Sequence, residues 1–117
     1  MASSIECITF DCAEPQRVAA FWAAALGYEK GGENGGWIWL RDPRGVGPLL
    51  GFDRVPEPKV VKNRMHLDLK PSDTMEAEVE RLRGLGAREV RLVTNDPDEM
   101  HTVMQDPEGN EFCVVRP

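Results

Sequence analysis

One stretch of the sequence, VKNRMHLDLKPSD, alternates apolar and polar side chains. This alternation predicts a strand over Arg64–Lys70, with its apolar residues toward the core and with His66 and Asp68 on the opposite face. An imidazole beside a carboxylate has two chemical uses, because the pair can bind a metal ion or transfer a proton. The only other histidine of the chain is His101, so His66 is the first candidate for chemistry.

Two tryptophans, Trp37 and Trp39, alternate with Ile38 and Leu40 in the stretch WIWL. If the aliphatic pair faces a helix, both indoles lie on the opposite face of the strand and can stack on a planar ligand. If the order is reversed, the indoles belong to the core. The sequence leaves both alternatives open.

A proline-bearing segment, VPEPKVVKN, separates the two halves of the chain and lies among basic residues. Such a cluster can attract an anionic ligand, but a solvated linker is the interpretation that we favour. The basic residues are Arg54, Lys59, Lys62 and Arg64.

Composition limits the classes of partner. The chain has 117 residues and a net charge of −6, which disfavours nucleic acid as a partner. The longest apolar run, Val18–Leu26, is too short to span a bilayer. No secretory signal is expected at the start of the chain, and three cysteines without close pairs fit a reducing compartment, so the sequence predicts a cytoplasmic protein.

The first half predicts a strand, a helix and three more strands. Pro15 suits the first turn of the helix, and Gly27 suits the left-handed position after its last turn. The glycine-rich stretch GGENGG predicts a turn. The predicted strands are Ile5–Asp11, Tyr28–Lys30, Trp37–Leu40 and Pro48–Arg54, and the predicted buried helix face is Val18, Phe21, Trp22 and Ala25.

The second half repeats this order after the strand at Arg64–Lys70. Asp73 and Glu76 are spaced as a capping box for a helix that runs to about Leu85, with Gly86 as its stop. The stretch DPEGN predicts a type I turn between the last two strands. The predicted helix stripe is Met75, Val79 and Leu82, and the remaining strands are Ala87–Leu92, Met100–Gln105 and Glu111–Arg116.

The two halves therefore form an internal repeat. A Leu-Gly pair ends each helix, and an Asp-Pro turn (DPRG, then DPEG) precedes each last strand. Two βαβββ modules of this size cannot each bury a core alone, so they should pair within one α+β domain. The predicted modules are residues 1–54 and 64–117, with residues 55–63 as the linker.

The stretches DCAEPQRVAAFWAAALGY, PEPKVVKNRMHLDL and DPEGNEFCVV resemble the vicinal oxygen chelate superfamily, and in particular its small glyoxalase-like and bleomycin-resistance-like proteins. The likeness covers essentially the whole chain. It implies two modules whose curled sheets form one cleft, often in a homodimer. It also implies that any divalent metal is held by residues of the first and last strands of each module.

Carried onto this chain, the metal-ligand positions of the family fall on His66, Cys7 and Cys113. The resemblance implies histidine, glutamine or glutamate where the two cysteines stand, and the last strand of the first module offers no ligand side chain. We therefore expect no complete metal site. The alternative is a three-ligand zinc site built by Cys7, His66 and Cys113.

The favoured function is a cytoplasmic binder of an organic small molecule, with neither nucleic acid nor a membrane as a partner. The alternative is a lyase, isomerase or dioxygenase that uses His66 with a divalent metal or as an acid or base, and Asp68 and Glu111 are further candidate bases on the same predicted face. The predicted ligand-binding residues are Trp37, Trp39, Phe52, His66, Gln105 and Cys113.

Overall fold

A computed structural model describes all of residues 1–117, which divide into two compact units, Met1–Pro58 and Lys59–Pro117. The division falls inside the segment predicted as a linker. Each unit contains one strand, one helix and three further strands, in that order. The predicted α+β fold of two βαβββ modules is therefore confirmed.

The first module forms a four-stranded sheet covered on one face by a helix. Its first and last strands run parallel at one side of the sheet, in the order β1-β4-β3-β2. The elements are β1 (Cys7–Cys12), α1 (Pro15–Leu26), β2 (Glu29–Asn34), β3 (Trp37–Arg41) and β4 (Leu49–Arg54).

The helix α1 begins and ends as the sequence predicts. Pro15 is in its first turn, and Gly27 follows its last residue at φ 69°, a backbone conformation that glycine adopts without strain. The predicted face is buried, and Val18 and Trp22 are completely inaccessible to solvent. Under the helix, Phe10 stacks on Phe52 with ring centroids 5.2 Å apart.

The second module repeats the first module's topology, with the strand order β5-β8-β7-β6 and with β5 parallel to β8. Met75, Val79 and Leu82 are the buried residues of its helix, as predicted. The elements are β5 (Asp68–Leu69), α2 (Met75–Gly84), β6 (Arg88–Val93), a 3₁₀ turn (Pro97–Glu99), β7 (His101–Gln105) and β8 (Glu111–Val115). No helix of either module is long and apolar enough to cross a membrane.

The predicted strand over Arg64–Lys70 is much shorter in the structure. Only Asp68 and Leu69 pair with β8, and Met65, which was expected to face the core, is 80% exposed. The partner strand β8 begins at Glu111. The Asn63 amide, just before the predicted strand, donates its hydrogen bond to the Glu111 side chain and not to the backbone of β8. The Leu67 carbonyl accepts a hydrogen bond from the Cys113 amide, but residues 64–66 do not pair with β8 and therefore do not extend the sheet.

Two further boundaries differ from their predictions. The N-cap of α2 is Thr74 rather than Asp73, because its hydroxyl accepts a hydrogen bond from the amide of Ala77 at 3.0 Å. The stretch GGEN, which was predicted as a turn, belongs to β2. The two glycines of this stretch make room for the Trp39 indole, whose nearest atoms lie 2.4–2.6 Å from where glycine Cβ atoms would be. Such a close approach is one reason for glycine inside a strand.

Both Asp-Pro turns are built around a buried carboxylate. Asp42 accepts hydrogen bonds from the amides of Arg44 and Gly47, and Asp106 accepts them from the amides of Glu108 and Asn110. Hydrogen bonds from the Arg44 side chain and the Gly47 amide lower the pKa of Asp42 well below its usual range. The repeated motif therefore fixes the entry to the last strand of each module.

Candidate functional site

The second sheet has one face covered by α2 and an opposite face that we call the open face. Along β7 and β8, successive side chains point alternately to the helix-covered face and to the open face. The buried residues Thr102, Met104, Phe112 and Val114 lie on the helix side, and the open face carries His101, Val103, Gln105, Glu111, Cys113 and Val115.

Three potential ligand groups meet on the open face, beside the short β5. The Nδ1 atom of His66 lies 3.1 Å from Oδ1 of Asp68 and 3.9 Å from Sγ of Cys113. One donor atom from each residue lies within 4.8 Å of the other two. The structure therefore brings His66 and Cys113 together, and the third member of the cluster is Asp68 and not the predicted Cys7.

This cluster is not arranged as a Cys–His–Asp relay. A relay needs the thiol and the carboxylate on different ring nitrogens, whereas both approach Nδ1 of His66 here. Burial raises the pKa of the Cys113 thiol, and the charge of Asp68 raises it further. At neutral pH the thiol is therefore protonated and a poor nucleophile.

Glu111, a predicted candidate base, has a structural role in this geometry. Its carboxylate accepts hydrogen bonds from the Asn63 amide at 2.7 Å, from Lys59 Nζ at 3.0 Å and from Gln105 Nε2 at 3.1 Å. Burial alone would raise the pKa of Glu111, but these three donors lower it to about 2. A carboxylate held in this way is a weak base at neutral pH, and it fastens the linker to the sheet.

Two cavities border different ends of the open face. The larger, of about 420 Å³, lies at the end that carries the His66 cluster. The second, of about 360 Å³, lies at the Gln105 and Glu111 end, under the linker. The first cavity is lined by His66, Asp68, Asp98, Glu99, Met100, His101, Cys113, Val115 and Arg116.

In the first module, the two tryptophans lie on the sheet face away from α1. Ile38 and Leu40 are buried toward the helix, which decides between the two predicted orders. The indole of Trp37 lies against Gly51, 2.1 Å from where a Cβ atom would be. Both indoles are partly exposed on this face, as one of the two alternatives predicted.

Two predicted residues have different surroundings from those expected. Phe52 is completely buried under α1, so its ring cannot contact a ligand, and Gly51 is the β4 residue that lies against Trp37 on the sheet face away from α1. Cys7 belongs to the first module, where its Sγ lies 3.6 Å from Oγ1 of Thr9.

The sequence of residues 7–115 matches the family described as the glyoxalase-like domain. The chain belongs to this family. No curated protein sequence matches it.

Solved structures with the same fold share little sequence with this glyoxalase-like chain. One is a glyoxalase/bleomycin resistance protein/dioxygenase family enzyme from Burkholderia phytofirmans, 14% identical, with a TM-score of 0.78 over 97% of this chain and 98% of that one. Another is a mutant of the fosfomycin resistance protein FosX from Listeria monocytogenes, complexed with Mn(II) and 1S,2S-dihydroxypropylphosphonic acid. It is 14% identical, with a TM-score of 0.77 over 98% of this chain and 90% of that one.

A glyoxalase-related enzyme from Fulvimarina pelagi is 17% identical, with a TM-score of 0.73 over 97% of this chain and 88% of that one. At these identities the likeness establishes the fold alone.

The donors of the second module fit a single metal ion. Imidazole, thiolate and carboxylate are the ligands that zinc prefers, and three protein ligands with an open position are typical of catalytic zinc. His66, Asp68 and Cys113 would hold such an ion, which would supply Lewis-acid chemistry beside the larger cavity.

The first module offers a poorer donor set at the equivalent positions. Gly51 is the counterpart of Cys113 in the repeat. Phe10 pairs with Phe52 in the first sheet, and Leu69 pairs with Val114 in the second sheet. Gly51 and Cys113 each come one residue before these partners. A glycine supplies no ligand side chain, and the indole of Trp37 occupies the space above it. The first module therefore offers no ligand side chain at the position that corresponds to Cys113.

Proposed function

We propose that this chain binds a small organic molecule on the open face of its second sheet. The observation that carries the proposal is the cavity of about 420 Å³, which has the size of a small-ligand site. Met100 and Val115 supply apolar surface, and His66, His101 and Arg116 supply groups that can orient a polar ligand. The proposed contacts also include Gln105 and Cys113 on the same face.

Trp37 and Trp39 remain proposed ligand contacts on the face of the first sheet that points away from α1. Their partly exposed indoles can stack on a planar group. Removal of a harmful compound by binding is one form of this function. The FosX relative is named as a fosfomycin resistance protein, which supports a protective role without deciding between binding and catalysis.

A second candidate function is a metal-dependent lyase, isomerase or dioxygenase. It is favoured by the three donor groups of His66, Asp68 and Cys113, which lie within 4.8 Å of one another. Elemental analysis of protein purified without chelators separates the two candidates. Near-stoichiometric zinc, nickel or iron that is lost in His66→Ala and Cys113→Ser would favour the enzyme.

We also propose a homodimer in the cytoplasm. The strand β6 lies at the edge of the sheet and exposes Val90 and Leu92, and a second copy would cover these two side chains and the unpaired backbone of the edge. Three free cysteines fit a reducing compartment. A monomer in light scattering at micromolar concentration would contradict the dimer.

The binding proposal is tested with the neutral fluorescent dye N-phenyl-1-naphthylamine. We expect saturable binding to the wild type, and at least tenfold weaker binding to Val115→Phe, because the added ring fills the cavity. The matched control, Val46→Phe, adds the same ring at an exposed turn of the first module and should bind as the wild type does. Absence of saturable binding, or equal binding by both variants, would contradict the proposal.

A further inference from the structure

The edge strand β6 carries a β-bulge that directs two arginines to the same face. Its pairing register with β7 shifts between Glu89 and Arg91, which leaves Val90 as the extra residue. Residues three apart on a regular strand point to opposite faces, yet Arg88 and Arg91 here both pair with open-face residues of β7. The bulge thus brings two guanidinium groups to the open face.

These arginines lie in a strongly basic cavity, the one of about 360 Å³ under the linker. The basic residues that line it are Lys59, Lys62, Arg88 and Arg91, and the acidic ones are Glu108 and Glu111. In the whole chain, 20 acidic residues outnumber 14 basic ones. Basic residues therefore outnumber acidic ones in this cavity, whereas the opposite holds for the whole protein.

Most of this positive charge is not neutralised by the protein. Lys59 is paired with Glu111, but none of the chain's ion pairs includes Lys62, Arg88 or Arg91. Arg88 donates a hydrogen bond to Oε1 of Gln105, which is a neutral amide. Three cations thus remain available to an anion, and the planar guanidinium group matches carboxylate and phosphate oxygens in geometry.

The cavity also has apolar walls and adjoins the His66 cluster. Val60, Val90 and Val103 line it, and Val103 pairs directly with Cys113 across the sheet. A ligand that lies over Val103 would therefore reach from the basic residues to that cluster.

We infer that the cavity under the linker binds the acidic group of the ligand, so that the small molecule is an organic anion with an apolar body. The acidic group, a carboxylate or a phosphate, would contact Lys62, Arg88 and Arg91. The apolar body would lie along the open face toward Val103 and Cys113. This inference rests on the proposed function and specifies the chemical class of its ligand.

A pair of dyes that differ only by an acidic group provides the test. The dye 8-anilinonaphthalene-1-sulfonate is the sulfonated form of N-phenyl-1-naphthylamine, so the ratio of their dissociation constants isolates the contribution of the charge. We expect the sulfonate to bind at least tenfold more tightly, and this preference to disappear in the Lys62→Gln/Arg91→Gln double variant. The Arg91→Lys variant keeps the positive charge, so it should retain most of the preference for the sulfonate.

Competition with the bound sulfonate then shows whether the cavity prefers a carboxylate or a phosphate. Benzoate and phenyl phosphate are compared with neutral benzyl alcohol, and the more effective acid indicates the class of the natural ligand. The control variant is Arg83→Gln, which removes a cation from the exposed surface of α2 and should change neither measurement.

The outcomes distinguish this inference from the proposed function. Equal binding of both dyes, or an unchanged preference in the double variant, would overturn the inference and leave the binding function intact. Failure of both dyes to bind would contradict the inference and the proposed function together. The basic residues are on the surface, and equal thermal melting temperatures would show that the variants fold.

Discussion

At the scale of single residues, the structure assigns different roles to groups that look alike in the sequence. Asp68 and Glu111 were both predicted as bases on one face, and both are on the open face. Asp68 is exposed and bound to His66, whereas Glu111 accepts three hydrogen bonds from the linker and from β7. Strand alternation predicts the face of a residue but does not identify its partners from distant parts of the chain.

The low pKa of Glu111 predicts a pH-dependent contribution to stability. Its folded-state pKa of about 2 lies below the ordinary value of 4.5, so the stabilisation is complete above pH 4.5 and is lost as the pH falls toward 2. We expect Glu111→Gln to lower the free energy of unfolding by about 2 kcal/mol at pH 7. The difference from wild type should decrease between pH 4.5 and pH 2.

Urea titrations of both proteins across this pH range measure the effect. Glu89→Gln is the control, because Glu89 is an exposed carboxylate of the same sheet that forms no ion pair. A Glu111→Gln penalty that stays constant down to pH 2 would show that the ionised carboxylate is not the stabilising group.

At the scale of elements, periodicity and turn chemistry predict most of the fold. The helix faces, the Leu-Gly stops and the Asp-Pro turns depend on neighbouring residues, and the structure confirms them. The length of β5 and the bulge in β6 depend instead on the partner strand, so alternation alone misplaced Met65 and gave no indication that Arg88 and Arg91 share a face. The sequence therefore indicated Lys59 and Lys62 of the linker as groups that can attract an anion, but it did not place Arg88 and Arg91 beside them.

The start of α2 gives a test at this scale. The Thr74 hydroxyl caps the helix, so Thr74→Ala should lower the free energy of unfolding by about 1 kcal/mol. Asp73→Ala, one residue earlier, is the matched control and should change it by less than about 0.5 kcal/mol. Chemical denaturation measures both variants. A larger loss in Asp73→Ala than in Thr74→Ala would show that Asp73 caps the helix, as the sequence predicted.

At the scale of the whole molecule, the repeat produces two similar sheets with different open faces. In the first module, glycines in β2 and β4 leave room for two indoles. In the second module, the corresponding face carries the His66 cluster and the basic cavity. The same backbone therefore presents an aromatic surface in one module and a polar, charged surface in the other. The pairing of the two modules across one cleft stays a prediction.

The most direct test of the binding site is a ¹H–¹⁵N NMR titration of the wild-type protein with N-phenyl-1-naphthylamine. Binding on the open face of the second sheet predicts saturable shifts concentrated in the backbone amides of residues 66–68, 98–103 and 113–116. Amides of the exposed α2 surface, such as that of Glu80, should be nearly unaffected. Shifts confined to residues 1–58, or shifts that do not saturate, would contradict the account.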